Sequence, residues 1–231
     1  MKYLLPVILF TSLFFSCNPK KEKVEVKTSE TIVNTTLAPL DKLKAGNERF
    51  VSGHSMHPNE SSDRIKDLKK GQNPFVVVVS CSDSRVPPEL IFDQGLGDVF
   101  SIRTAGNVIG DYELGSIEYA VEHLHSQLIV VLGHENCGAI QAYAAAKSEE
   151  HHDGLIQSLV DYIAAEEEEK MVPENQRSSI DTLVKANILH GVNLLKSSSP
   201  ILKPLVDKNE IKIVGAYYDL DNGKVLFEKG W

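Results

Sequence analysis

Two stretches of this chain are apolar at nearly every position: Phe75-Val76-Val77-Val78-Val79-Ser80 and Gln127-Leu128-Ile129-Val130-Val131-Leu132-Gly133. Neither alternates with the period of two of a half-buried strand, and both are rich in β-branched residues. They predict strands buried on both faces, as in a parallel sheet. Asp98–Arg103 and Ile211–Tyr218 predict further strands. Helical spacing fills the intervals. Leu40, Leu43, Ala45 and Phe50 share one face of a helix ending at Gly53, and Ile65–Lys70 reads as a helical turn. Leu114, Ile117, Ala120, Val121 and Leu124 predict a helix over Glu113–His125. Ala139–Lys147, Leu155–Lys170 and Ile180–Lys196 predict three more. An Asp221-Asn222-Gly223 turn before Lys224–Phe227 predicts a closing hairpin. Strands alternating with helices imply an α/β fold, a mainly parallel central β-sheet flanked by helices.

The first residues break this pattern. Lys2 precedes a hydrophobic run from Leu4 to Phe15, too short to span a bilayer and suited to an export signal. The run ends in Leu13-Phe14-Phe15-Ser16-Cys17, which resembles a bacterial lipobox with Cys17 as the lipidated residue. Residues 1–17 therefore read as a lipoprotein signal peptide. The polar, Lys/Glu-rich residues 18–36 read as a flexible tether, and residues 37–231 as one folded domain. The expected location is exported and lipid-anchored to a bacterial membrane, with membrane contact through the lipid only.

Composition adds an exclusion. The chain carries a net charge of -8, which argues against nucleic acid as a partner, because a phosphate-binding surface needs excess Lys and Arg. Part of that charge is the run Glu166-Glu167-Glu168-Glu169, which reads as the solvated face of a helix.

The candidate chemistry sits just after the two buried strands. Cys81-Ser82-Asp83-Ser84-Arg85 follows the first, and His134-Glu135-Asn136-Cys137-Gly138 follows the second. In parallel sheets the carboxyl ends of strands are where ligands bind. Thiolates and imidazole suit zinc, so Cys81, His134 and Cys137 read as three ligands with a fourth position open to water or a carboxylate. An open position marks catalytic zinc, which brings the pKa of a bound water near neutrality. Asp83 can ligate the ion or accept a hydrogen bond from that water, and Arg85 can hold Asp83 ionised in a bidentate pair. The competing reading is a Cys81–Cys137 disulfide in an exported, non-catalytic module. It leaves His134, Asp83 and Arg85 unexplained.

These segments resemble the β-carbonic anhydrases. The resemblance rests on Cys81-Ser82-Asp83-Ser84-Arg85-Val86-Pro87-Pro88-Glu89, Arg103-Thr104-Ala105-Gly106-Asn107, Glu118-Tyr119-Ala120-Val121, Gly133-His134-Glu135-Asn136-Cys137-Gly138-Ala139 and Gly215-Ala216-Tyr217-Tyr218-Asp219, in the family's order. Glu135 stands where the family usually has Ser or Thr. The resemblance implies reversible hydration of CO2 to bicarbonate and a proton by zinc-bound hydroxide, with one zinc ion per subunit. It implies metal ligation by Cys81, His134 and Cys137, with Asp83 as fourth ligand in a closed state and paired with Arg85 in the active one. It also implies a homodimer or larger homo-oligomer whose CO2 pocket, at Gln72, Phe100, Tyr119 and the Gly138 backbone, forms across the subunit interface. One branch of the family binds inhibitory bicarbonate through an Arg, a Trp and a Tyr. Arg103 matches the Arg, but Val78 and Val192 stand near the aromatic positions, so no such regulatory site is expected.

Overall fold

The structure is a computed structural model that describes residues 37–146 and 153–227. The signal and tether readings, with Cys17, lie outside the described residues, as does Lys147 at the end of one predicted helix. The chain runs α1 (Pro39–Val51), α2 (Ser62–Leu68), β1 (Val76–Cys81), α3 (Pro88–Ile91), β2 (Val99–Thr104), α4 (Asp111–Glu122) and β3 (Leu128–His134). It continues through α5 (Gly138–Ala146), α6 (Leu155–Ala165), α7 (Glu167–Met171), α8 (Ile180–Ser197), α9 (Leu202–Asp207), β4 (Lys212–Tyr218) and β5 (Val225–Leu226).

The five strands form one sheet in the order β2-β1-β3-β4-β5. The first four are parallel, and β5 returns antiparallel to β4 as the predicted hairpin. Every residue of β1 and β3 is buried, which explains their unbroken apolar character. β2 lies at the sheet edge and is buried fully only at Ile102. From β1 the chain crosses to β2 on one side, whereas β3 pairs on the other. The connections leaving β1 and β3 therefore diverge, and a crevice opens at the carboxyl ends of these two neighbours.

Helix α8 presses on β3 and β4 through Leu183, Val184, Ile188, Val192 and Leu195, all buried. The approach needs Gly133. A Cβ there would sit 2.7 Å from Ile188 Cδ1 and 3.0 Å from Val184 Cγ1. A methyl group at this position would push the helix off the strand that carries His134.

The glutamate run behaves differently from the sequence reading. Leu155–Lys170 is two helices, because Glu166 is extended (φ -61, ψ 131) and breaks the turn between α6 and α7. The break turns Glu166 and Glu169 inward, to 2% and 0% exposure. Only part of the run is solvated. Glu167 pairs with Lys170 at 2.9 Å, and Glu168 accepts from Asn193 Nδ2 at 2.8 Å and lies 2.7 Å from His190 Nδ1. Neither carboxyl oxygen of Glu166 has a hydrogen-bond partner among the described residues. Burial, then the neighbouring charges of Glu169 and Glu168, push its carboxyl up to about 9, so it is neutral at pH 7.

Candidate metal centre

The crevice at the ends of β1 and β3 gathers the sulfur and imidazole ligands. β1 and β3 are hydrogen-bonded neighbours, with Ser80 in register with Leu132. Cys81 is the last residue of β1 and His134 the last of β3. Asn136 takes a left-handed conformation (φ 52) that turns the chain back and brings Cys137 to the same point, just before α5 begins. The ligand atoms of Cys81, His134 and Cys137 all lie within 4.8 Å of one another, and all three residues are buried.

The donor set fits zinc. The two sulfurs are 4.0 Å apart and unbonded, which excludes the disulfide. Two thiolates on a tetrahedral ion with bonds of about 2.3 Å would be about 3.8 Å apart. His134 Nδ1 lies 2.7 Å from the Glu135 carbonyl oxygen, an arrangement that places the proton on Nδ1 and leaves Nε2 with its lone pair. Nε2 is buried and has no hydrogen-bond partner among the described residues. A buried imidazole nitrogen left bare beside two thiols is an arrangement that a metal satisfies and a dry core does not.

One of the two thiols is poised to lose its proton. Cys81 is drawn well below the ordinary thiol range, chiefly by its hydrogen bond with Cys137 and further by His134 and the N–H groups of Asp83 and Gly106. Those two N–H groups each donate to Cys81 Sγ at 3.4 Å. Gly106 reaches it from a left-handed turn (φ 65) that a side chain would strain. Cys137 moves the other way, held protonated by its hydrogen bond with Cys81, then by burial and the charge on Cys81. Without a cation the pair carries one negative charge; a divalent ion takes both as thiolates.

Asp83 faces Arg85. Arg85 Nε donates to Asp83 Oδ1 at 2.9 Å and Nη2 donates to Oδ2 at 2.7 Å, while the Arg85 backbone N–H donates to Oδ1 at 2.9 Å. This bidentate fork holds the Asp83 carboxyl at about 2, so it is ionised throughout the neutral range. Asp83 Oδ2 is 3.9 Å from His134 Nε2, beside the ligand cluster. Arg85 Nη2 also reaches the Asn136 carbonyl at 3.4 Å, tying the first loop to the second.

The remaining candidates sit elsewhere in the same chain. Gly138 is at the start of α5, next to Cys137. Gln72 is exposed in the loop before β1. Phe100 is in register with Val77 near the start of β1, four residues before Thr104, which is in register with Cys81. At about 3.3 Å per residue that is about 13 Å from the cluster. Phe100 meets Tyr119 with ring centroids 6.5 Å apart on the outer side of β2, and Tyr119 is 49% exposed. Val78 and Val192 are both core residues.

Sequence reasoning passed over Asn187. Its Nδ2 donates to the Gly106 carbonyl at 2.9 Å, and its Oδ1 accepts from Asn107 at 3.3 Å, fixing the turn beneath Cys81. The available signal was a polar residue on the apolar face of α8, between Val184 and Ile188.

Comparison with known proteins agrees with this geometry. A family profile described as carbonic anhydrase matches residues 76–225. Carbonic anhydrase 2 of Mycobacterium tuberculosis is 41% identical over 185 residues, covering 80% of this chain and 88% of that protein. Among solved structures, the β-carbonic anhydrase CcaA has a TM-score of 0.64 at 29% identity, covering 83% of this chain and 88% of that one. A tetrameric β-carbonic anhydrase from the ascomycete Sordaria macrospora has a TM-score of 0.61 at 25% identity, covering 79% and 93%.

Proposed function

The chain belongs to the β-carbonic anhydrase family, and from that premise we propose that it hydrates CO2 reversibly to bicarbonate and a proton at a zinc ion held by Cys81, His134 and Cys137. The observation that carries this is the cluster of two free thiols and a bare His134 Nε2 in the crevice between β1 and β3. Zinc, when bound, supplies the acidity that yields a hydroxide nucleophile at neutral pH. The chain's own residues do the rest. The Glu135 carbonyl fixes the His134 tautomer. Arg85 keeps Asp83 ionised and pointing one way, and the Asp83 carboxylate would accept a hydrogen bond from the nucleophile that zinc supplies and orient it toward CO2. Gly138 stands at the start of α5, next to Cys137.

The enzyme works as a homodimer or larger homo-oligomer, in which Gln72, Phe100 and Tyr119 of one subunit complete the CO2 pocket of its partner. Support comes from the outer edge of β2, where Phe100 stands about 13 Å from its own chain's cluster and meets the exposed Tyr119 of α4. The tetrameric relative assembles too. An acyl chain on Cys17 anchors the domain outside the cell's inner compartment.

Stopped-flow CO2 hydration with zinc analysis of the purified protein tests the central reading. One zinc per chain and a rate far above buffer at alkaline pH are expected; a metal-free protein no faster than buffer would sink it. The anchor has its own measurement. Wild-type protein should partition into the detergent phase, and Cys17→Ser should stay aqueous; equal partitioning would refute lipidation at that residue.

A further inference from the structure

Arg103 is drawn into the centre by contacts that its place in the sequence does not announce. It lies on β2, in register with Ser80 of β1. Its Nε donates to the Cys81 carbonyl at 3.1 Å and its Nη2 to the Asp83 carbonyl at 2.6 Å. One planar guanidinium thus spans both ends of the segment that links a zinc ligand to the carboxylate beside it. The Ser82 N–H between them donates to the Thr104 carbonyl at 2.9 Å, so the same short segment is stitched to β2 at three successive residues.

That stitching has a consequence for Asp83. Its Oδ2 is 3.9 Å from His134 Nε2, close enough to compete for a metal's fourth position. It does not compete while its backbone is held so that the carboxylate meets Arg85. Arg85 is exposed and anchored across the crevice by one long contact to Asn136, so it is a weak brake by itself. We infer that Arg103 is a positioning residue: by gripping the carbonyls of Cys81 and Asp83 it holds the Asp83 carboxylate off the metal's open position. The inference rests on the zinc reading above. A lysine has one nitrogen and can grip one carbonyl at a time, and a glutamine neither reaches both nor carries charge.

The test uses full-length wild type, Arg103→Lys and Arg103→Gln, each loaded with zinc for kinetics and with cobalt(II) for spectroscopy. All three should hold about one metal per chain, because no ligand is changed. R103Q should lose about tenfold or more in kcat with KM within about twofold, since the loss is one of orientation. R103K should fall between. In the cobalt proteins, thiocyanate should enter the open position of the wild type and shift its visible bands. In R103Q it should need about tenfold more thiocyanate, because the Asp83 carboxylate now competes for that position. Wild-type kcat and thiocyanate response in R103Q would overturn the inference. So would loss of metal or of folding in both variants, which would make Arg103 a scaffold residue only. A wild type without metal or activity is a different result, and removes the zinc reading itself.

Discussion

Cys137→Ser is expected to strip the protein of zinc and reduce CO2 hydration about a thousandfold or more, to the rate of buffer. The serine hydroxyl stays protonated at neutral pH and is a poor ligand for this ion. Three converging donors become two, and His134 Nε2 and Cys81 cannot hold zinc alone at working concentrations. The substitution is nearly isosteric at a buried position 1% exposed, so circular dichroism should be unchanged. Zinc content well below one per chain, with a native spectrum, is the expected pair of readings. A variant retaining stoichiometric zinc and full rate would remove Cys137 from the ligand set.

Glu166→Gln is expected to stabilise the protein at neutral and alkaline pH, which is the opposite of most core substitutions. The unfolded chain ionises this carboxyl near the ordinary value of 4.5, whereas the folded chain holds its proton to about 9. Between those values the folded state binds more protons than the unfolded one, so raising the pH favours unfolding. The contribution of the neutral acid is complete below about pH 4.5, falls steadily to about pH 9 and changes little above it. Glutamine keeps the shape of the neutral acid and cannot ionise. Its amide protons meet no acceptor supplied for them, which offsets part of the gain. The net expectation at pH 8 is on the order of 1–3 kcal/mol, several degrees in melting temperature. Near pH 4.5 the gain from ionisation vanishes and the variant should melt slightly below the wild type, by the cost of its amide. A gain equal at pH 5 and pH 8, or none at pH 8, would show that Glu166 does not titrate as its burial dictates.

The two results bear on what the sequence can reveal. β1 and β3 were legible because a strand buried on both faces has to be apolar throughout, and few other structures ask for that pattern. The Cys81, His134 and Cys137 cluster was legible for a related reason: Cys81 and His134 each end such a strand, so the fold brings them together once the strands are neighbours. Glu166 was not legible. Four consecutive glutamates give no phase, and nothing in them shows that an extended residue would rotate two of them into the core. Arg103 was not legible in its gripping role, because its partners are main-chain carbonyls. Those contacts depend on the register of β1 against β2, which side-chain pattern leaves open. α3 and α9 escaped because helices of four to six residues carry too few turns for a periodic signal.

The open edge of β2 has a consequence before the enzyme ever meets CO2. An edge strand carrying Phe100, its outer side without a strand partner among the described residues and flanked by the exposed Tyr119 and Leu90, is a template for any extended chain that drifts past. Under the proposed assembly, a freshly folded single subunit is therefore at its most vulnerable while it waits for a partner. The wait shortens as subunits become more numerous, whereas misfolded neighbours also become more numerous under heavy expression. Yield of soluble protein should thus depend on production rate, with slow synthesis favouring correct pairing over clumping.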